Sequence, residues 1–181
     1  MLPEQRHGRR ELATVGADQG ERNKFALPIG AESAQATGSE IGGKGTARFE
    51  QTGGTATLSG TLDLGHNSNG SSFVSGLTGV YTLAAPGQLT AAAENIGYWG
   101  VGTFTHTGGS HTVTGNQTLG RTSTDTGTYT LSGAASQVTC GSITLADAGI
   151  GTFTQTGGLA DAGTLLSVGK SSTGNGTFTL S

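Results

Sequence analysis

A repeat of about 24 residues runs through most of this 181-residue chain and limits its fold more than any other feature. Each unit opens with an aromatic residue, which has a neighbouring Thr in all units but the first. It then reaches, at a nearly constant separation, an apolar-x-apolar stretch followed by Gly or Ala. The aromatic positions are Phe49, Tyr81, Phe104, Tyr129, Phe153 and Phe178. A period between about 20 and 50 residues is typical of solenoids, propellers and other repeat arrays.

Neighbouring units differ in a regular way. The openings "FEQTGG", "FTHTGG" and "FTQTGG" alternate with "YTLAAPG", "YTLSG" and "FTLS", so the larger repeat is a pair of units, about 49 residues long. One unit is longer than the others by about seven residues, which predicts an insertion at 71–77.

Composition selects one architecture from these. The chain has 34 Gly, and Thr is nearly as abundant; both are poor helix formers, which excludes helical repeats. A unit of this length is too short for a four-stranded propeller blade. The sequence therefore predicts an all-β, single-stack parallel β-helix, or β-solenoid. It would have about five coils of 23–25 residues, and a right-handed stack is the usual case.

Alternation along the strands predicts which side chains form the core. In Thr103–Thr107 a strand sends Phe104 to one side and the Thr side chains to the other. The aromatics of successive coils would then stack about 4.8 Å apart as an internal ladder. A second strand is expected to face inward with Leu62, Leu64, Gln117, Leu119, Ile143, Leu145, Leu166 and Val168.

Three polar residues occupy inward positions next to that ladder. Gln51, His106 and Gln155 alternate with Leu two residues after the aromatic. A polar group in a dry core is costly unless it is hydrogen-bonded, so we expect them to bond to the backbone of a nearby bend. A ligand role for His106 is the minor alternative. Cys140 is expected to pack as a small buried residue.

The first part of the chain does not follow the repeat. Residues 1–44 are predicted to be a poorly ordered or capping segment, and 45–181 to form the β-helix. The chain stops inside the first strand of a new unit, "GNGTFTLS". An open sheet edge invites pairing, so we expect this chain to be a truncated part of a longer protein.

Charge and cysteine content disfavour several functions. The net charge is −3, and all but two of the nine Lys and Arg residues precede residue 49, so the repeat region lacks the cations of a nucleic-acid interface. The lone Cys140 rules out an intramolecular disulfide and a Cys-based zinc site. No apolar run is as long as a membrane span requires, and the N-terminus lacks the apolar core of an export signal.

Three stretches resemble a known repeat class: "ENIGYWGVGTFTHTGG" (94–109), "GTYTLSG" (127–133) and "GIGTFTQTGG" (149–158). They are similar to the β-strand repeats of large bacterial surface and secreted proteins, including autotransporter passenger-associated repeats. The resemblance covers residues 45–181. It implies a parallel β-helix and an extracellular or cell-surface location.

The titratable residues of the repeat region do not suggest catalysis. Its six carboxylates are scattered by this register and are predicted to be solvent-exposed, with no two sharing a face on adjacent coils. Glycoside hydrolysis needs such a pair. His106 and His111 lie five residues apart, which is not a recognised metal-ligand spacing. We expect no catalytic residue, no cofactor and no metal, and hence no enzyme.

Two surface features remain. Tyr98 and Trp99 lie in a bend, where they would either stack on a sugar or plug the bend against the adjacent coil. The second feature is a regular array of outward Thr residues that resembles the Thr-x-Thr faces of ice-binding β-helices, although it is also what a solvated strand favours. The array comprises Thr103, Thr105, Thr107, Thr128, Thr130, Thr152, Thr154 and Thr156.

The leading functional hypothesis is a non-enzymatic structural or adhesive segment of a bacterial surface or secreted protein, with glycans or other surface proteins as partners. The first alternative is a carbohydrate-binding or carbohydrate-active β-helix, with its site at the aromatic pair or the 71–77 insertion. The second alternative is ice binding through the Thr-x-Thr face.

Overall fold

The computed structural model describes residues 23–27, 33–36, 38–43, 45–67 and 76–181. These residues form an all-β parallel solenoid of about five turns, as predicted. Residues 1–22 of the predicted N-terminal segment and 71–75 of the predicted insertion lie outside the described part. The described residues contain no helix with the length and apolar character that a membrane crossing requires.

Two parallel sheets run the length of the stack. Sheet I contains β1 (Asn23–Leu27), β4 (Thr46–Gln51), β6 (Thr78–Leu83), β8 (Val101–His106), β10 (Thr126–Leu131), β12 (Ile150–Gln155) and β14 (Asn175–Leu180) in this order. Sheet II contains β2 (Ser33–Ala36), β3 (Ser39–Ile41), β5 (Thr55–His66), β7 (Gln88–Tyr98), β9 (Ser110–Leu119), β11 (Gln137–Leu145) and β13 (Leu159–Val168). Each strand pairs with its equivalent in the next coil, and both β2 and β3 pair with β5.

The predicted aromatic ladder lines the inner side of sheet I. Successive rings from Phe49 to Phe178 stack with centroid separations of 4.8, 4.9, 4.7, 4.8 and 5.2 Å. Phe104, Tyr129 and Phe153 are fully buried. The separations match the spacing of paired strands, so the ladder follows directly from the in-register stacking of the coils.

The long strands of sheet II are interrupted once in each coil. The pairing register shifts between Leu58 and Thr61, between Ala91 and Glu94, and between Cys140 and Ser142. Beyond the shift the inward alternation resumes, so Leu62, Leu64 and Leu119 are buried as expected. Cys140 is also buried. Leu166 and Val168, in the same register on β13, are 43% and 47% exposed.

Glycine is required where the chain passes from sheet II back to sheet I. A Cβ atom at Gly127 would lie 2.0 Å from the Ile96 carbonyl oxygen of the preceding coil. At the neighbouring bend Gly120 has φ 67°, and Ala146 occupies the equivalent place with φ 63°. At this corner the backbone of one coil therefore packs directly against the backbone of the preceding coil.

The solenoid begins before residue 45. β1 pairs with β4 from Asn23↔Ala47 to Leu27↔Gln51, while β2 and β3 pair with β5. The boundary placed at residue 45 from the sequence thus falls inside the stack. Phe25 of β1 is in register with Phe49, but in the sequence it lacks the Thr and the paired Gly that follow Phe49.

The polar residues beside the ladder bond to the bends, as expected. The Gln51 amide donates to the Gly54 carbonyl at 3.1 Å, and the Gln155 amide donates to the Gly158 carbonyl at 3.0 Å. His106 Nε2 lies 3.2 Å from the Gly109 carbonyl oxygen. Each side chain reaches three residues ahead, which explains why a polar residue precedes each "TGG" bend.

Candidate functional site

The predicted Thr residues form a regular array on the outer side of sheet I. Thr103, Thr128, Thr152 and Thr177 are in register across β8, β10, β12 and β14. A second column two residues along contains Thr105, Thr130, Thr154 and Thr179. We call these eight residues the threonine face. Its spacing is about 4.8 Å between coils and about 6.7 Å along a strand.

Thr107 and Thr156 continue this array at the ends of β8 and β12. The backbone N–H of Thr107 donates to the Leu83 carbonyl at 2.9 Å, and that of Thr156 donates to the Leu131 carbonyl at 2.9 Å. The Thr107 hydroxyl also points back to the Leu83 carbonyl, at 3.3 Å. The eight Thr residues predicted from the sequence, a set that includes Thr107 and Thr156 in place of Thr177 and Thr179, therefore lie on one outer surface.

The surroundings of the threonine face are uncharged. β6, β8, β10, β12 and β14 contain no Lys, Arg, Asp or Glu. The nearest charges in the sheet are on β4, where Arg48 Nε lies 2.7 Å from Glu50 Oε1 and the pair is neutral as a whole. Such a surface costs less to desolvate than a charged one and offers both methyl and hydroxyl groups.

The aromatic pair Tyr98 and Trp99 lies at the end of β7, in a stack that runs across coils. The Tyr98 ring stacks on His66 at 4.7 Å, and the Arg121 guanidinium lies 4.5 Å from its centroid on the next coil. The Tyr98 ring is thus in contact with residues of the coils on either side. This agrees with the alternative in which the bend packs against the adjacent coil. Trp99 is half-buried, has φ 67° and is tilted against Tyr98 at 5.6 Å.

Polar groups surround this corner on the outer side of sheet II. Glu40 and Asp63 are register partners on adjacent coils, so one pair of carboxylates does share a face. The sequence register missed this pair because Glu40 precedes the recognisable repeat. Glu40 bonds to His66 Nδ1 at 2.9 Å, and Asp63 accepts from the Asn95 amide at 2.6 Å. Burial raises the pKa of Asp63.

Two carboxylates expected to be exposed are buried, which corrects the prediction from the sequence. Asp125 accepts a hydrogen bond from the Thr122 backbone N–H at 2.7 Å within its bend. Glu94 lies inside the solenoid with 0% exposure. Its register partner Leu62 is one of the inward residues predicted for sheet II, so Glu94 follows the same alternation.

Glu94 belongs to an internal polar cluster that spans three coils. The Gln117 amide donates to Glu94 Oε2 at 2.6 Å, and His111 Nε2 lies 3.7 Å from the same oxygen. His111 Nδ1 lies 3.1 Å from the Tyr129 hydroxyl, which is 2.9 Å from His106 Nδ1. We call Glu94, Gln117, His111, Tyr129 and His106 the core polar chain.

Burial keeps the titratable members of this chain neutral. Desolvation raises the pKa of Glu94 to about 8, although the hydrogen bond from Gln117 opposes the shift. Desolvation lowers the pKa of His111 to about 3, assisted by His106. The contact between Glu94 and His111 is thus a neutral pair and not a salt bridge.

Sequence reasoning missed this cluster although a signal was present. The stretch "ENIG" aligns Glu94 and Ile96 with Leu62 and Leu64 of "LDLG", and counting back from Gly97 would have placed Glu94 inside. His111 lies on β9 in register with Leu89 and Val138, both buried. In the described part of the chain, no three His, Cys, Asp or Glu side chains are grouped so as to hold a metal ion.

Comparisons with protein-family models, curated proteins and solved structures found no match to this chain.

Proposed function

We propose that this solenoid is a non-enzymatic structural and adhesive segment of a bacterial surface or secreted protein, and that the threonine face is its adhesive surface. The observation that carries the proposal is the register of two adjacent Thr columns through four successive coils. A rigid stack holds these side chains at fixed spacing, so little conformational entropy is lost when a ligand binds.

The chemistry of the face favours a neutral partner with repeated hydroxyl groups, such as an uncharged polysaccharide. The five strands around the face carry no charge that would attract an ionic ligand. Thr hydroxyls donate and accept hydrogen bonds, while their methyl groups contact apolar C–H surfaces.

The positions of Glu94 and His111 support a role without catalysis for these two residues. The side chains of Glu94 and His111 have 0% exposure, so a substrate in solvent has no contact with them. A general acid or base must come within hydrogen-bond distance of its substrate.

Binding to insoluble neutral polysaccharides tests the proposal. The double variant Thr128→Lys/Thr152→Lys places two charges in the centre of the face. The matched control, Thr112→Lys/Thr139→Lys, changes register partners on the outer side of sheet II. We expect the first variant to lose binding at least tenfold and the control to retain it. Equal binding by both variants, or turnover of the polysaccharide by the purified protein, would contradict the proposal.

The same face favours one second candidate, ice binding. Regularly spaced Thr columns without nearby charge are the features that suggest it. Thermal hysteresis and shaping of ice crystals measure this activity directly. Activity that disappears in Thr128→Lys/Thr152→Lys would support it, and wild-type protein without either effect would rule it out.

A further inference from the structure

The hydrogen bonds of the core polar chain assign its protons in one direction. His106 Nε2 faces the Gly109 carbonyl, which can only accept, so this nitrogen carries the proton. Neutral His106 then has a bare Nδ1, and the Tyr129 hydroxyl donates to it. Because that hydroxyl has one proton, its oxygen must accept from His111 Nδ1–H.

This order leaves His111 Nε2 without a proton, facing Glu94. The nitrogen has no hydrogen-bond partner, and neither do Glu94 Oε1 and Gln117 Oε1. An ionised Glu94 would place a carboxylate against a bare ring nitrogen, lone pair against lone pair. A protonated Glu94 instead presents a donor, and the chain from Glu94 to Gly109 becomes consistently oriented.

The core polar chain connects successive coils of the stack and also connects the two sheets across the interior. Glu94 lies on β7, His111 and Gln117 lie on β9, and Tyr129 lies on β10, which belongs to the following coil. His111 also stacks on Phe104 of the ladder at 4.7 Å. The side chains therefore join sheet I to sheet II at the middle of the solenoid.

We propose that Glu94, Gln117 and His111 form a proton-operated lock, which holds the middle coils closed while Glu94 is protonated and loosens them when it ionises. The lock acts on packing and does not depend on what the threonine face binds.

None of the described ionisable groups around Glu94 stabilises its ionised form. Asp63 on β5 disfavours a negative charge at Glu94. Burial raises the pKa of Tyr81 on β6, Tyr129 on β10 and Cys140 on β11, and the field of an ionised Glu94 adds to each shift. His111 and His106 are neutral because burial lowers the pKa of each, so no cation compensates the charge.

The expected size of the effect follows from proton linkage. Glu94 has a pKa of about 8 in the fold against 4.5 ordinarily, and His111 about 3 against 6.5. Between pH 4.5 and 6.5 the two linkages oppose and cancel. Above pH 6.5 the Glu94 linkage dominates. Because Glu94 is itself half ionised in the fold at about pH 8, the opening equilibrium constant rises about tenfold in total between pH 6.5 and pH 8.

Amide hydrogen exchange from pH 5 to pH 9, corrected for the intrinsic exchange rate, tests the lock in the full chain. We expect protection of β7, β9 and β10 to fall about tenfold between pH 6.5 and 8 in the wild type. Glu94→Gln mimics the protonated acid and can donate to His111 Nε2, so its protection should not change over that range. Asp161→Asn removes one exposed carboxylate from β13 and should behave as the wild type.

A second variant tests whether the result depends on the amide that Glu94→Gln introduces. Glu94→Leu/Gln117→Leu restores the apolar type found at the equivalent Leu62 and Ile143, and it should also abolish the pH response. The proposal is wrong if Glu94→Gln retains the wild-type response, if wild-type protection is equal at pH 6.5 and pH 8, or if protection is lost first in β13 and β14.

Discussion

The inner sides of the two sheets form by the same stacking of coils, but they differ in how regularly one residue type recurs at an equivalent position. Sheet I presents an aromatic ring in every coil from Phe49 to Phe178. Sheet II presents Leu62, Glu94, Gln117 and Ile143 at one equivalent position. A repeat that only had to stack would use apolar residues at all of these places. The difference indicates that sheet I supplies stability, while sheet II carries the property specific to the middle coils.

The largest expected effect tests the stabilising role of sheet I. Phe104 is fully buried and stacks on Tyr81, Tyr129 and His111. Phe104→Ala should reduce the free energy of unfolding by about 3–5 kcal/mol, because a large cavity forms between rings. Phe178→Ala, in the only partly buried last ring, should cost clearly less. Denaturant unfolding measures both, and equal costs would contradict the cumulative role of the ladder.

The link between the two sheets is tested by removing one hydroxyl. Tyr129→Phe leaves His106 Nδ1 and His111 Nδ1 without partners, which should cost up to about 3 kcal/mol. Tyr81→Phe removes one bond, to Gln51 Oε1, and should cost less. If calorimetry finds Tyr81→Phe the more damaging of the two, the hydroxyl of Tyr129 does not connect the two His rings.

Glu94 and His111 on the inner side of sheet II should make the free energy of unfolding fall at both alkaline and acid pH. The pKa of Glu94 is about 8 in the fold, above its ordinary value, so its contribution is complete below about pH 4.5 and is lost as the pH rises toward 8. The pKa of His111 is about 3 in the fold, below its ordinary value, so stability is lost as the pH falls from 6.5 toward 3. A plateau between pH 4.5 and 6.5 is the expected result.

From pH 6.5 to pH 8 the free energy of unfolding should fall by about 1.4 kcal/mol. Urea unfolding at several pH values measures this change. Glu94→Gln should lose the alkaline decline and keep the acid one. A wild-type profile that rises between pH 6.5 and 8 would reverse the sign and contradict the assignment.

A smaller effect tests the corner that joins the two sheets. Ala146 has φ 63° at a place where the other coils have Gly, and a left-handed residue with a side chain is strained. Ala146→Gly should raise the free energy of unfolding by about 1 kcal/mol. Ala148→Gly in the same loop, where φ is not positive, should give no gain. Thermal unfolding of the two variants decides the comparison.

The smallest effect is expected on the outer side of sheet I. Thr154 is half-buried at the surface, and Thr154→Ala should change stability by no more than about 0.5 kcal/mol. Thermal unfolding measures the change. A loss above about 1 kcal/mol would show that the threonine face is needed for folding, and its regularity would then require no ligand.

Several elements could be predicted because they repeat locally. The ladder, the inward Leu residues and the bonds from Gln51, His106 and Gln155 to their bends all depend on spacing within one or two coils. The strands β1 to β3 were not predicted in this way. Phe25 of β1 pairs in register with Phe49, but the Thr and paired Gly that mark the later units do not follow it in the sequence, and β2 and β3 contain no aromatic residue. The position of Tyr98 between His66 and Arg121 depends on three different coils.

By itself the sequence determined the solenoid, the residues of its aromatic core and the outward Thr columns, because a short, constant repeat period with strand alternation admits one stacking register. Only the tertiary structure decided that Glu94, Gln117, His111 and Tyr129 meet. These residues come from three successive coils, and their contact depends on how far each side chain reaches across the interior. The charge states follow from that meeting, since a carboxyl or an imidazole becomes neutral when the fold removes it from water.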